Sequence, residues 1–143
     1  MFLIGQYDSP FVRRVAIAMR LYGVTFDHKP WSTFGDAEKI APYNPLRRVP
    51  TLVLDTGEAL IDSHIILDYL DELVGEDKAM IAPHGAERRR HLRICALATG
   101  LGDKSVSSST RAYCARSSSS SGSSAARRRC RAHSTCWNGS APP

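Results

Sequence analysis

Residues 104–143 contain no aspartate, glutamate, leucine, isoleucine, methionine or phenylalanine, and a single valine, Val106. They hold 13 serines and seven of the chain's 19 Lys and Arg residues. A segment so poor in apolar surface cannot offset the entropy lost on ordering, so residues 103–143 are expected to be a disordered Ser/Arg-rich tail. The missing acidic residues have a second consequence. All 14 Asp and Glu lie in residues 1–103 beside 12 basic residues, so that part carries a net −2 while the tail carries +7. The sequence pI of about 9.3 therefore describes the tail. It is no footprint of a basic domain, and a nucleic-acid partner is not expected. The run Arg127-Arg128-Arg129-Cys130-Arg131 reads as solvated charge.

No stretch approaches the roughly 18 consecutive apolar residues of a membrane helix, and the opening residues lack the pattern of a secretory signal. The expectation is a soluble cytoplasmic protein with no membrane partner. Cysteine is scarce. Cys114, Cys130 and Cys136 lie in the tail and Cys95 sits in a helical pattern, which is not the distributed framework of a disulfide-stapled domain. Cys130, His133 and Cys136 lack a fourth ligand at an established spacing, so no metal site is expected.

Residues 1–103 carry the organised pattern. Phe2-Leu3-Ile4 is a short apolar run that fits a buried strand. Ser9-Pro10 then combines a helix-capping oxygen with a residue pre-set for the first helical position. Val12, Val15, Ala16, Met19 and Tyr22 follow at helical spacing up to Gly23. A second strand is expected at Thr25–His28 and a short helix at Asp36–Ile40. Asn44-Pro45 opens a turn, and Thr51–Leu54 and Ala59–Ile61 flank an Asp55-Thr56-Gly57-Glu58 turn, which predicts a hairpin. Asp62-Ser63 begins a helix with Ile65, Ile66, Tyr69, Leu70 and Leu73 on its apolar face and Gly75 at its end. Residues 77–85 read as a linker. Residues 86–102 read as a further helix with a basic face and an apolar face at Leu92, Cys95, Ala96 and Thr99.

A β-α-β-α-β-β-α order with a proline just before its third strand resembles the thioredoxin-like α/β fold. Three segments narrow the resemblance: Tyr7-Asp8-Ser9-Pro10-Phe11-Val12-Arg13-Arg14, Asn44-Pro45-Leu46-Arg47-Arg48-Val49-Pro50-Thr51-Leu52, and Asp62-Ser63-His64-Ile65-Ile66-Leu67-Asp68-Tyr69-Leu70. In this order and spacing they resemble the soluble, cytosolic glutathione transferases, most of all the bacterial enzymes that use a serine. Residues 1–76 would be the thioredoxin-like domain and residues 86–102 the first helix of a truncated all-α second domain.

The resemblance implies a transferase that joins the glutathione thiolate to an electrophilic small molecule, with glutathione as co-substrate and no metal. Ser9 would donate to the sulfur and, with the helix N-terminus, favour thiolate over thiol. Val49-Pro50 would be a cis turn that offers the Val49 backbone to the cysteinyl unit of glutathione as an added strand does. Asp62 and Ser63 would hold the γ-glutamyl end, and Arg48 the glycine carboxylate. Arg47 stands where the family commonly has glycine, and Tyr7 is a further candidate in place of Ser9, although Ser9 fits the register better. Each of these residues also has a plainer reading, Ser9 and Ser63 as helix caps and the arginines as solvated surface.

In the family a second domain lines the electrophile pocket and contributes to a homodimer contact, and the expectation is that this chain carries only its first helix. The abrupt change of composition is what an out-of-frame reading of GC-rich coding sequence near residues 102–106 would produce, a genuine disordered tail being the alternative. A glutaredoxin-like dithiol mechanism is excluded, because the positions that would need cysteines hold Ser9 and Val12. The main rival to a transferase is a non-catalytic glutathione-binding or protein-interaction module on the same fold.

Overall fold

Three strands alternate their side chains across a mixed sheet, and that alternation separates two layers of core. In the computed structural model, residues 1–120 are described, of which 110–120 by their backbone alone. β1 (Phe2–Ile4), β2 (Asp27–Lys29), β3 (Thr51–Val53) and β4 (Ala59–Ile61) form a sheet ordered β2-β1-β3-β4. β1 runs parallel to β2 and antiparallel to β3, and β3 and β4 are the antiparallel hairpin. Leu3 pairs with Leu52, which pairs with Leu60. This row belongs to the larger core, with Val12, Val15 and Met19 of α1 (Pro10–Leu21) and Ile66 and Leu70 of α3 (Ser63–Val74). The alternate row, Phe2, Ile4, Val53 and Ala59, packs with Ile40 of α2 (Ala37–Ile40), Trp31 and Tyr43. The period-two pattern of strands and the helical spacing of α1 and α3 thus meet at one apolar layer.

The element order is the expected thioredoxin-like one, with small differences in bounds. β2 starts two residues and ends one residue further on than its β-favouring composition suggests, since pairing with β1 in the register Phe2↔Asp27 to Ile4↔Lys29 fixes it. The end of α1 is built as read: Gly23 has φ +70° directly after the capping residue Tyr22. Residues 75–84 form turns and bends.

α4 departs from expectation. It runs Gly85–Ser120 instead of ending at residue 102, so the described part of the tail continues as helix. Backbone hydrogen bonds inside a helix need no buried side chain, and serine costs only about 0.5 kcal/mol per residue relative to alanine. No proline interrupts these residues. The chain nonetheless divides into two units, Met1–Gly102 and Asp103–Pro143. Within the first unit the half-buried stripe of α4 is Arg88, His91, Cys95, Thr99 and Gly102, whereas Leu92, expected on the apolar face, is exposed with Ile94, Leu97 and Leu101. The tail's arginine run and its Cys130, His133 and Cys136 lie outside the described residues.

Candidate functional site

The sheet register brings three separate pieces of sequence to one end. Ile4 is opposite Thr51, which is opposite Ile61. The residues that follow β1, precede β3 and follow β4 are therefore neighbours: the turn from Gly5 to Ser9, the Val49-Pro50 pair, and Asp62-Ser63. These are the segments that sequence spacing had singled out.

Ser9 is the N-cap of α1, with extended backbone (φ −69°, ψ 121°) and Pro10 at the first helical position. Its Oγ accepts from the Val12 N–H at 3.4 Å, a long bond that leaves the hydroxyl hydrogen uncommitted. The Ser9 N–H donates to the Gln6 carbonyl at 3.2 Å and closes the preceding turn. A half-buried hydroxyl at the positive end of a 12-residue helix is chemically suited to hold an anion such as a thiolate.

Val49-Pro50 is a cis peptide. Among the described residues, no group pairs with the Val49 N–H or carbonyl, which leaves an unpaired length of backbone beside the sheet end. Its approach is fixed by Asn44, which is fully buried. Asn44 Nδ2 donates to the Arg48 carbonyl and to Thr51 Oγ1, both at 3.0 Å, while its Oδ1 accepts from the Leu46 N–H at 2.9 Å. Asn44 looked in the sequence like a turn starter; its side chain in fact spans the whole loop before β3.

Asp62, rather than Ser63, caps α3. Its backbone has φ +75°, and its Oδ1 accepts from the His64 N–H at 3.2 Å and from the Ser63 hydroxyl at 3.3 Å. Ser63 is buried, whereas the Asp62 carboxylate is exposed. Arg47 forms an exposed ion pair with Glu38 at 3.0 Å. Arg48 is exposed on the same loop. Tyr7 is partly exposed and its ring stacks on His28 at 4.1 Å, so it is anchored towards β2.

Sequence reasoning missed Arg14. It lies one and a half turns beyond Ser9 on α1 and is half-buried. Burial lowers its pKa from the ordinary arginine value, and the Cys95 and Asp62 side chains oppose that shift by favouring the charge. The Arg14 guanidinium and the Asp62 carboxylate thus lie within range of one another's charge at this end of the sheet. A cavity of about 400 Å³ opens elsewhere, against the C-terminal half of α3, lined by Asp68, Asp71, Glu72, Glu76 and Arg88 among others. It is separate from the three converging segments. Among the described residues no group of three His, Cys, Asp or Glu side chains is placed to hold a metal, and no helix is long and apolar enough to cross a membrane.

Residues 3–78 match the family model described as the glutathione S-transferase N-terminal domain. The chain belongs to the glutathione S-transferase family. Among its relatives is the uncharacterized GST-like protein YibF of Escherichia coli K12, 38% identical over 106 residues, covering 74% of this chain and 52% of YibF. A glutathione transferase family member from Pseudomonas fluorescens Pf-5, solved with bound glutathione, superposes with a TM-score of 0.64 at 36% identity over 73% of this chain and 53% of its own. A glutathione S-transferase from Methylobacterium radiotolerans in complex with glutathione sulfonate reaches a TM-score of 0.69 at 26% identity, covering 96% of this chain and 61% of the other. The chain spans about half the length of the first two relatives.

Proposed function

We propose that this chain binds glutathione at the end of the sheet where Ser9, Val49-Pro50 and Asp62-Ser63 meet, and that Ser9 stabilises the glutathione thiolate for attack on an electrophilic small molecule. The observation that carries the proposal is that convergence: a hydroxyl at a helix N-terminus, an unpaired backbone edge and a capped, acidic helix start on adjoining strand ends. Two of the structurally similar transferases were solved with glutathione or glutathione sulfonate bound, which supports the ligand class.

In this reading the cysteinyl backbone of glutathione pairs with the Val49 N–H and carbonyl, its γ-glutamyl end meets Asp62 and the N–H groups opening α3, and Arg48 meets the glycine carboxylate. The thiol then lies at Ser9. A donated hydrogen bond and the α1 dipole favour loss of its proton to solvent, and the thiolate attacks the electrophilic carbon. A carbon–sulfur bond forms, the leaving group departs with its electron pair, and the product is a thioether.

A non-catalytic glutathione-binding or protein-interaction module on the same fold is the second reading, since residues that bind a ligand can be kept without catalysis. Retention on glutathione-agarose and conjugation of 1-chloro-2,4-dinitrobenzene, measured on this chain and on Ser9→Ala, separate the two. Retention with Ser9-dependent turnover supports the transferase. Retention without turnover supports the binding module, and loss of both refutes the glutathione site.

A further inference from the structure

We propose that His28 is a positioning residue for Ser9: it holds the Gly5–Ser9 turn from β2 through one hydrogen bond and one ring stack. The proposal rests on the glutathione reading above for its chemical consequence, and on the turn's geometry for its structural one.

His28 Nε2 lies 2.7 Å from the Gly5 carbonyl oxygen. That oxygen can only accept, so Nε2 carries a hydrogen and the neutral ring is the Nε2–H tautomer. The face of the same ring stacks on Tyr7, with centroids 4.1 Å apart and planes 14° from parallel. The next residue of β2 adds a third tie, since the Lys29 carbonyl accepts from the Gly5 N–H at 2.9 Å. Both backbone groups of Gly5 and the ring of Tyr7 are thus held by two consecutive β2 residues. From Tyr7 the chain has one residue to cover before Ser9, and the Ser9 N–H closes back on Gln6 at 3.2 Å. On the α1 side, the Ser9 carbonyl accepts from the Arg13 N–H at 3.0 Å and its Oγ from the Val12 N–H at 3.4 Å, while Arg13 Nη2 reaches the Asp8 carbonyl at 3.4 Å. α1 therefore holds Ser9 from one side through its capping bonds, and β2 holds the Gly5–Tyr7 end of the turn that leads into it, through a His28 side chain that contacts Tyr7, two residues of chain before Ser9.

The test uses His28→Phe, which keeps a stacking ring and removes the donor, and His28→Gln, which restores an N–H donor without the ring. Amide hydrogen exchange on the free chain should speed up by about three- to tenfold across residues 6–12 in His28→Phe, with the β3–β4 hairpin unchanged, and recover in part in His28→Gln. In the glutathione complex, followed by the ultraviolet absorbance of the thiolate, His28→Phe should lower the thiolate-to-thiol ratio by about three- to tenfold while the dissociation constant moves by less than about twofold. A merely structural histidine would not separate those two quantities. Unchanged exchange across residues 6–12 overturns the proposal, as does faster exchange with an unaltered thiol titration where the parent chain lowers the thiol pKa. If the parent chain does not lower that pKa, the Ser9 reading fails instead, and the exchange measurement still decides whether His28 holds the turn.

Discussion

Gly5 and Val49 are in contact so close that a Cβ on the glycine would lie 2.8 Å from the Val49 Cβ and 2.5 Å from Val12 Cγ2. Gly5 also has φ +131°, a conformation that L side chains rarely adopt. The end of β1, the start of α1 and the loop before β3 can thus approach one another only through a residue without a side chain. Gly5→Ala adds overpacking to backbone strain, and an unfolding free energy lower by about 3 kcal/mol or more is expected. Urea denaturation monitored by tryptophan fluorescence checks this. A loss below about 1 kcal/mol would mean that Val49 moves aside freely, contrary to a firmly seated backbone edge.

Asn44 supports the same edge from the other side. Removing its amide strips partners from the Arg48 carbonyl, Thr51 Oγ1 and the Leu46 N–H in a fully buried position. Asn44→Ala should cost about 2–4 kcal/mol, and it should weaken glutathione retention more than Arg47→Ala does. Arg47 only contributes an exposed pair with Glu38, of a kind worth less than about 1 kcal/mol.

Ser9 has two separable duties, and their magnitudes differ. As a cap its bond to the Val12 N–H is long, so Ser9→Ala should cost only about 0.5–1 kcal/mol of stability. As a donor to a thiolate it makes a charge-assisted bond, and its loss should raise the pKa of bound glutathione by about one to two units. Ser9→Thr keeps the hydroxyl and should retain most of both effects. Thermal unfolding and the thiolate titration, run on the same three proteins, read the two duties independently. Equal thiol pKa values in all three would leave Ser9 as a cap alone.

What could be read from sequence divides along the range of the interactions. Ser9-Pro10, the turn between β3 and β4, and Asp62-Ser63 are decided within a few residues of chain, and each marks the boundary that the structure shows. The placement of β2 was less legible because its bounds follow from pairing with Phe2–Ile4. The choice of Asp62 over Ser63 as the cap depends on a positive φ that no composition announces. Arg14 and His28 carry no local signal. The first looks like one of two surface arginines and the second like an ordinary strand residue, until the fold sets Asp62 and Cys95 about Arg14 and the Gly5 carbonyl against His28. For α4 the difference is one of bounds: the apolar pattern stops at residue 102, whereas the helical backbone, whose hydrogen bonds need no apolar side chain, continues to Ser120.

Tyr22 ties three elements together and makes the stability of the domain sensitive to alkali. It caps the C-terminus of α1, its hydroxyl donates to the Asp71 carboxylate on α3, and the same oxygen accepts from the Met80 N–H at 2.7 Å in the segment before α4. Burial and the bond to Asp71, opposed by the Met80 N–H, push the phenol up to about 12 from its ordinary 10.0. The folded state therefore keeps the proton when the unfolded chain has lost it. Below pH 10 both states are protonated and the contribution is complete; as pH rises from 10 towards about 12 the unfolded state is favoured by ionisation, and the contribution is lost. Tyr22→Phe removes the hydroxyl and leaves the Met80 N–H with its longer bond to Asp71 Oδ1 at 3.4 Å, for a loss of about 1–2 kcal/mol at neutral pH. It should also flatten the fall in stability above pH 10, because the remaining tyrosines are common to both proteins. Denaturant midpoints for the parent and Tyr22→Phe at neutral pH and at several values above pH 10 test this, with the curves expected to converge as alkali increases. Parallel curves would show that the phenol ionises alike in the folded and unfolded chains, and that the bond to Asp71 does not hold its proton.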